Sequence, residues 1–360
     1  MITDIYRFNF GGNVCTVEIG MSLKGLNALR RVPVSAKDTL YVYDDNTEGL
    51  FAGDIEKITG REEESAAVRV VIDHGEEHKS WESVNRILEK AVESDFGRDC
   101  TFMGIGGGVL TDLVAFASSV YMRGSGLILV PTTLLSMVDA SIGGKTGFNY
   151  HGYKNLIGTF YPAEKVCIAI ETLESLPENE FNAGIAEVIK TAMLGDEELF
   201  GMLEREKKRL LGRDGELLKE IVGRCVIFKG RLVEEDLRER GKRAFLNLGH
   251  TFAHALESSV NFKGILHGEA VAWGLLKALE LGAQLNITDY SYMERVKNLL
   301  LDYGFPLKYD SIKPARLISA MYGDKKKRKG NLRFILQRSI GDNLIEEGIS
   351  EELLNRVLSG

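Results

Sequence analysis

Cysteine is sparse in this 360-residue chain, and nothing pairs it. Cys15, Cys100, Cys167 and Cys225 are scattered and form no C-x-x-C. That excludes a readable disulfide framework and points to a reducing, cytoplasmic setting. Positive charge is in deficit: 45 Lys and Arg stand against 52 Asp and Glu, and the net charge of −7 argues against broad nucleic-acid binding. No apolar run approaches the ~20 residues that a membrane-crossing helix needs. The opening residues Met1-Ile2-Thr3-Asp4-Ile5-Tyr6-Arg7 lack the basic-then-apolar pattern of a secretory signal. Repeats and low-complexity tracts are absent as well. What is present is 44% apolar and 27% charged residues, an ordinary globular composition at a length that implies two domains. One local departure is the basic run Lys325-Lys326-Lys327-Arg328-Lys329, which reads as a solvated hairpin loop between Met321-Tyr322 and Leu332–Leu336 rather than a recruitment surface.

The first half alternates short apolar runs with helical patterns. Val14–Ile19, Leu40–Tyr43, Val68–Ile72, Phe102–Ile105, Leu127–Val130 and Val166–Ile170 are strand candidates; Ser83–Glu93 and Val109–Ser119 are helix candidates between them. Such alternation implies a mostly parallel sheet covered on both faces. After about Leu173 the apolar residues recur at three and four, over Glu178–Met193, Glu197–Leu211, Glu216–Glu235, His250–Ser259, Gly268–Leu285 and Ser291–Leu301. That is the pattern of helices packed on helices. The expected architecture is an α/β domain over 1–172 and an all-α domain over 173–360, with a ligand site in the cleft between them.

Two of the six histidines, His250 and His254, stand four apart and share a helix face. A third, His267, follows in Leu266-His267-Gly268-Glu269, and a carboxylate, Glu187, lies upstream in Ala186-Glu187-Val188-Ile189-Lys190. Two imidazoles and one carboxylate form the ligand set of a catalytic zinc, but spacing alone does not say which two histidines bind. His74, His78 and His151 lack such a setting. Gly104-Ile105-Gly106-Gly107-Gly108 ends a strand candidate and opens a helix, where backbone N–H groups and the helix dipole favour a pyrophosphate. The strict G-x-G-x-x-G spacing is missing, since Val109 stands at the last glycine; a plain tight turn is the rival reading. Asp112 lies one turn in, and Pro131-Thr132-Thr133 close the next strand with hydroxyls suited to ribose or phosphate. Asp139 precedes Gly143-Gly144-Lys145, and Lys154, Asn155, Lys190, Lys229 and Arg243 follow. Singly each cation reads as surface; interleaved with the metal-ligand candidates they outline a pocket for a polyanion.

Taken in order, Gly106-Gly107-Gly108-Val109-Leu110-Thr111-Asp112, Tyr121-Met122-Arg123-Gly124, Pro131-Thr132-Thr133-Leu134-Leu135, Asp139, Gly143-Gly144-Lys145-Thr146, Lys154-Asn155-Leu156-Ile157-Gly158, Ala186-Glu187-Val188-Ile189-Lys190, Asn247-Leu248-Gly249-His250-Thr251, His267-Gly268-Glu269 and Asp324-Lys325-Lys326 resemble the 3-dehydroquinate synthase family of the shikimate pathway. The resemblance runs from about Gly75 to Leu336. It implies a Rossmann-like N-terminal domain and metal ligands at Glu187, His250 and His267, leaving His254 to contact substrate or support a ligand. Substrate positions fall on Asp139, Lys145, Lys154, Asn155, Lys190, Lys229, Arg243, Asn247, His254 and either Lys325 or Lys326. Arg123 matches an arginine that reaches the phosphate site of a neighbouring subunit, which implies a homodimer. NAD contacts fall on Glu76, Lys79, Gly106, Gly107, Gly108, Asp112, Thr132, Thr133 and Thr172, with Asp139, Lys145 and Lys154 also at the cofactor. Thr111 replaces a usual glycine, and Asn149-Tyr150-His151-Gly152-Tyr153 is an unusual loop before Lys154.

The implied substrate is a seven-carbon phosphorylated sugar acid and the implied cofactors are NAD and Zn2+ or Co2+. The implied chemistry is a transient oxidation, phosphate elimination, return of the hydride, ring opening and intramolecular aldol closure. Two rivals share parts of this pattern. A metal-dependent alcohol or glycerol dehydrogenase would not need five or more cations near the metal. Another sugar-phosphate cyclase would act on substrates without a carboxylate and would be expected to differ near Lys229, Arg243 and Asn247. A nucleic-acid binder resting on Lys325–Lys329 is the remote third. Membrane partners are not expected.

Overall fold

Runs that are apolar on successive residues can be buried on both faces, and they form the middle of the sheet. The computed structural model describes residues 3–31, 39–60, 67–260, 264–325 and 332–359. Its strands in the first half are β1 (Asp4–Phe10), β2 (Asn13–Gly20), β3 (Thr39–Asp44), β4 (Arg69–Ile72), β5 (Thr101–Gly106), β6 (Gly126–Pro131), β7 (Lys145–Tyr150), β8 (Tyr153–Phe160) and β9 (Lys165–Ala169). Seven of them make one sheet in the order β1-β2-β9-β6-β5-β3-β4, parallel except for β1 against β2. All six strand candidates are in it.

Alternate side chains of β3 and β5 go to opposite faces. Tyr41, Tyr43, Met103 and Ile105 join Leu26, Leu29, Phe51 and Ile55 in a core beneath α1 (Asn27–Arg30) and α2 (Glu48–Ile58). On the other face Gly104 lies under Val114 of α4 (Gly108–Val120), beside α3 (Trp81–Glu93). Ser80 caps α3 by accepting from Ser83 N, a hydrogen bond that satisfies one of the helix's open donors. The unusual loop is the turn of the β7–β8 hairpin: His151 and Gly152 take φ of 49° and 76°, the pair of positive values that a tight hairpin turn demands.

The second half supplies α5 (Glu178–Gly195), α6 (Glu197–Arg205), α7 (Lys207–Leu211), α8 (Gly215–Glu235), α9 (His250–Ser259), α10 (His267–Gln284), α11 (Tyr290–Asp302), α12 (Pro314–Lys325) and α13 (Glu351–Ser359). Two strands, β10 (Arg333–Gln337) and β11 (Asn343–Glu347), pair as a hairpin among them, an addition to the all-α expectation. Asp196 and Asp214 cap α6 and α8 by accepting from Leu199 N and Leu217 N. The helical stretch expected over 197–211 breaks at Glu206.

Contacts group the chain into two compact units, Met1–Phe181 with Arg213–Glu239, and Asn182–Gly212 with Arg240–Gly360. A single boundary after 172 does not describe this grouping. The apolar face of α8 packs on β1 and β2, and Glu234 accepts from Asn9 N at 2.6 Å while Lys219 lies 3.1 Å from Asp4. In the second unit α10 is buried nearly all round, as a helix at the centre of a bundle must be, with α9, α11, α13 and β10 against it. The basic run does not join two strands: α12 leads into it and β10 follows, and 326–331 lie outside the described residues. The four cysteines are buried free thiols, and burial pushes Cys15 and Cys167 up to about 12. No helix among the described residues is long and apolar enough to cross a membrane.

Candidate metal and cofactor sites

In the second unit, two glycines decide where the histidines stand. Gly249, the residue before α9, has φ of 76°, and a Cβ there would lie 2.7 Å from Leu275 N on α10. Gly268, one residue into α10, would put a Cβ 2.3 Å from Ala183 Cα on α5. Only glycine permits both the left-handed turn and these close approaches. His250 and His267 thus open α9 and α10 beside Glu187, one turn beyond Ala183.

His250 Nε2 lies 3.7 Å and His267 Nε2 3.4 Å from Glu187 Oε1, and donor atoms of all three residues lie within 4.8 Å of one another. Donors held ~2.1 Å from one tetrahedral ion stand about 3.4 Å apart. The three residues therefore fit a divalent ion with little adjustment, and a fourth position is left for water or substrate. Each Nδ1 is occupied from behind, His250 by Leu248 O at 3.1 Å and His267 by Glu257 Oε1 at 3.2 Å. Both Nε2 atoms face Glu187, and in the neutral Nδ1–H form of each ring that is the atom with the lone pair.

Burial, with Lys190 adding to it, pushes the His250 imidazole down to about 3, so it is neutral and ready to ligate. Burial also opposes charge on His267, but hydrogen bonds to Glu187 and Glu257 outweigh it and lift that group to about 9 in the metal-free chain. Glu187 and Lys190 are both about 1% exposed, and Lys190 Nζ is 2.5 Å from Glu187 Oε2. Arg243, also 1% exposed, and Asn247 lie on the 3-10 turn Lys242–Asn247 that leads to α9. His254 is exposed on α9, its ring 5.4 Å from that of His250. It lies outside the three-residue cluster, as the family resemblance implies. Lys325 ends α12; Lys326 lies outside the described residues.

The first unit gathers a second constellation. The glycine turn joins β5 to α4, with Gly107 immediately before the helix and Thr132 N donating to Gly106 O. Lys79 is buried, and its Nζ donates to Asp112 Oδ2 and Asn155 Oδ1, each at 2.6 Å. Burial raises the Asp112 carboxyl while Lys79 opposes the shift. Glu76 Oε1 accepts from Asn149 Nδ2 at 2.8 Å and lies 4.0 Å from Lys154 Nζ. Asp139 sits in a π-helical turn, Ser136–Ala140, a local geometry frequent at functional sites, and accepts from Lys229 Nζ at 2.5 Å. Lys145 is exposed and pairs with Glu239. The hydroxyls of Thr133 and Thr172 donate to Ser136 Oγ and Ala169 O, and Thr111 donates to Gly108 O. Arg123 is exposed and is the second of two consecutive non-glycine residues of positive φ, Met122 at 47° and Arg123 at 71°. Such strain is characteristic of functional positions. Of the remaining histidines, His74 pairs with Asp45 at 2.9 Å, His151 is exposed in the hairpin turn, and His78 ends the short 3-10 turn Glu76–His78.

Three residues escaped the sequence reading. Glu257 behind His267 is one. Asn149 is another: its side chain bonds Glu76 and accepts from Asn155 N, and its own N–H donates to Lys79 O. Asp44, at the end of β3, approaches the glycine turn so closely that a Cβ on Gly106 would lie 3.0 Å from its Oδ2. A carboxylate there suits a ribose hydroxyl. Their sequence signals carry no role until the structure is known: Glu257 is the residue seven after His250, Asp44 ends a buried strand, and Asn149 opens the unusual loop.

Comparison with known proteins agrees with this chemistry. The family model for the 3-dehydroquinate synthase N-terminal region matches residues 69–183, and that for the C-terminal region matches 184–327. The 3-dehydroquinate synthase of Coxiella burnetii is 36% identical over 360 residues, covering 99% of each chain. That of Nitrosospira multiformis is 40% identical over 293 residues, covering 81% of this chain and 80% of its own. Among solved structures, a 2-epi-5-epi-valiolone synthase from Streptomyces hygroscopicus with NAD+ and Zn2+ bound superposes with a TM-score of 0.86 at 27% identity, covering 95% of both chains. A probable glycerol dehydrogenase from Sinorhizobium meliloti, at 16% identity and a TM-score of 0.60 over 92% of this chain and 93% of its own, shares the fold.

Proposed function

The chain belongs to the 3-dehydroquinate synthase family, and from that premise we propose that it converts 3-deoxy-D-arabino-heptulosonate 7-phosphate to 3-dehydroquinate and phosphate, with NAD and Zn2+ or Co2+ as cofactors. The observation that carries this reading is the triad of buried Glu187 with the half-buried His250 and His267, Lys190 at its side. When bound, the metal supplies Lewis acidity and NAD a reversible hydride acceptor. The rest falls to side chains. Glu187, His250 and His267 hold the metal. Lys190 places a positive charge beside the reacting oxygen and favours its deprotonated form. Arg243, desolvated and with a planar fork of donors, takes the substrate carboxylate, aided by Asn247 and His254. Lys229, oriented by Asp139, and Lys145, Lys154 and Asn155 serve the remaining hydroxyls and the phosphate, with Lys325 or Lys326. Glu76, Lys79, Asp112 and the Gly106–Gly108 turn hold NAD, with Thr132, Thr133 and Thr172 beside it. Catalysis is then mostly positioning and charge stabilisation.

The working form is a homodimer in which Arg123 of one copy meets the phosphate bound by the other. Two features support this: the strained placement of Arg123, and the exposed Tyr153, Leu156 and Phe160 of β8 with Met122. Large apolar side chains left exposed on an outer strand favour a protein neighbour. The buried free thiols and the acidic charge suit the cytoplasm, without nucleic-acid or membrane partners.

The test is substrate choice. The heptulosonate phosphate should be turned over with phosphate release, and sugar phosphates lacking the carboxylate should not. Equal turnover of a carboxylate-free sugar phosphate would assign the chain to another cyclase activity.

A further inference from the structure

Glu257 lies seven residues after His250 on α9, two turns along the same face, and is 3% exposed. Its Oε1 is 3.2 Å from Nδ1 of His267, which belongs to the next helix. We infer that Glu257 is a positioning residue of the metal centre: it fixes His267 as the Nδ1–H tautomer and strengthens that imidazole as a ligand. The inference rests on the reading of Glu187, His250 and His267 as the ligand set.

A neutral imidazole has one N–H and one lone pair. A carboxylate on Nδ1 takes the N–H, so the lone pair is directed from Nε2, the atom 3.4 Å from Glu187 Oε1. An anionic partner also draws the proton toward itself and makes Nε2 more basic. The two histidines differ here. His250 is held at Nδ1 by the neutral carbonyl of Leu248, whereas His267 is held by a full negative charge. His267 therefore depends on its outer partner for charge as well as orientation. The helix α9 governs both ligands, one directly and one through Glu257, which ties the rotamer of a residue at the start of α10 to the neighbouring helix.

The experiment measures metal affinity rather than turnover. Zn2+ affinity of the purified full chain is obtained by chelator competition for wild type, Glu257→Gln, Glu257→Ala and His267→Ala, and the visible spectrum of the Co2+-loaded proteins reports ligand geometry. Glu257→Gln keeps size and an acceptor but loses charge and should weaken Zn2+ by about 10-fold; Glu257→Ala should approach 100-fold and change the Co2+ spectrum. Melting of the metal-free proteins separates this from misfolding, and Glu257→Gln alone decides if Glu257→Ala does not fold. Wild-type affinity and an unchanged Co2+ spectrum in Glu257→Gln, alongside metal loss in His267→Ala, would overturn the inference while leaving the ligand set intact. Full metal occupancy in His267→Ala would instead overturn the ligand set.

Discussion

Two lysine–carboxylate contacts of nearly the same length sit in the two units. Lys79 meets Asp112 at 2.6 Å in the first; Lys190 meets Glu187 at 2.5 Å in the second. Their surroundings differ. Lys79 also donates to Asn155, and its neighbours Glu76 and Asn149 are bonded to one another, so polar groups answer polar groups. Glu187 divides its oxygens, one toward Lys190 and one toward two imidazoles whose Nδ1 atoms are already held. A distance between charges therefore does not define a role. The surroundings do: Glu187 Oε1 faces two imidazole nitrogens that can serve as metal ligands, whereas the Lys79–Asp112 pair is set among amide side chains.

The largest effect should come from Glu187→Gln. It removes the anionic ligand and leaves Lys190 buried opposite a neutral amide. Breaking a buried pair from one side costs about 3–5 kcal/mol, and metal retention should fall by more than ~100-fold, beyond the range of changes in outer partners. Metal content after dialysis and the melting temperature check both. Full metal with a wild-type melting temperature would reduce Glu187 to the role of Asp112.

Arg243→Lys comes next. Charge is kept but the planar fork is lost, and one charged hydrogen bond contributes roughly 1.5–3 kcal/mol. That corresponds to a fall of about 10–150-fold in kcat/KM, with NAD and metal affinity unchanged. Wild-type turnover would remove this arginine from the substrate.

Asp112→Asn should be smaller because the aspartate side chain is 18% exposed. We expect about a 10-fold rise in the NAD Kd, from roughly 1.5 kcal/mol of lost charged hydrogen bonding, and unchanged metal content. Calorimetry with NAD decides it; lowered stability with unaltered NAD binding would make the pair structural.

The smallest effect sharpens the comparison from outside both sites. Arg295 grips Glu204 with two 2.8 Å bonds, but the partners are 38% and 36% exposed. Glu204→Gln should cost only about 0.2–1 kcal/mol after solvent screening. The Arg295 hydrogen bonds hold the Glu204 carboxyl below its ordinary 4.5. Its contribution is therefore full above 4.5 and is lost as pH falls through the lower folded value. Melting curves of wild type and variant should converge in acid, and a gap that persists there would deny the ion pair its role.

The sequence made the central strands legible because parallel strands buried on both faces are continuous apolar runs, as in Leu40–Tyr43. It hid β7 and β8, whose Gly, Asn and Lys content does not look like a strand and whose stability comes from the tight turn at His151-Gly152. The return of α8 to the first unit was hidden too, since an amphipathic face does not say which distant surface it covers. At the site, spacing alone left open which two of His250, His254 and His267 bind; the family resemblance pointed to His250 and His267 with Glu187, and these are the three that the geometry gathers. That choice depends on how closely α5, α9 and α10 approach at Gly249 and Gly268. Glu257 escaped because a glutamate on an amphipathic helix reads as a solvated charge until the next helix covers it.

The proposed reaction borrows a hydride and returns it. The most direct test is one cuvette holding the chain, a divalent metal, the heptulosonate phosphate and NAD in far smaller amount than substrate, with phosphate release and reduced-nicotinamide absorbance followed together. Phosphate should be released to many equivalents of the NAD present while NADH stays below the enzyme concentration. NADH accumulating in step with product, or phosphate release that stops after one equivalent of NAD, would contradict it.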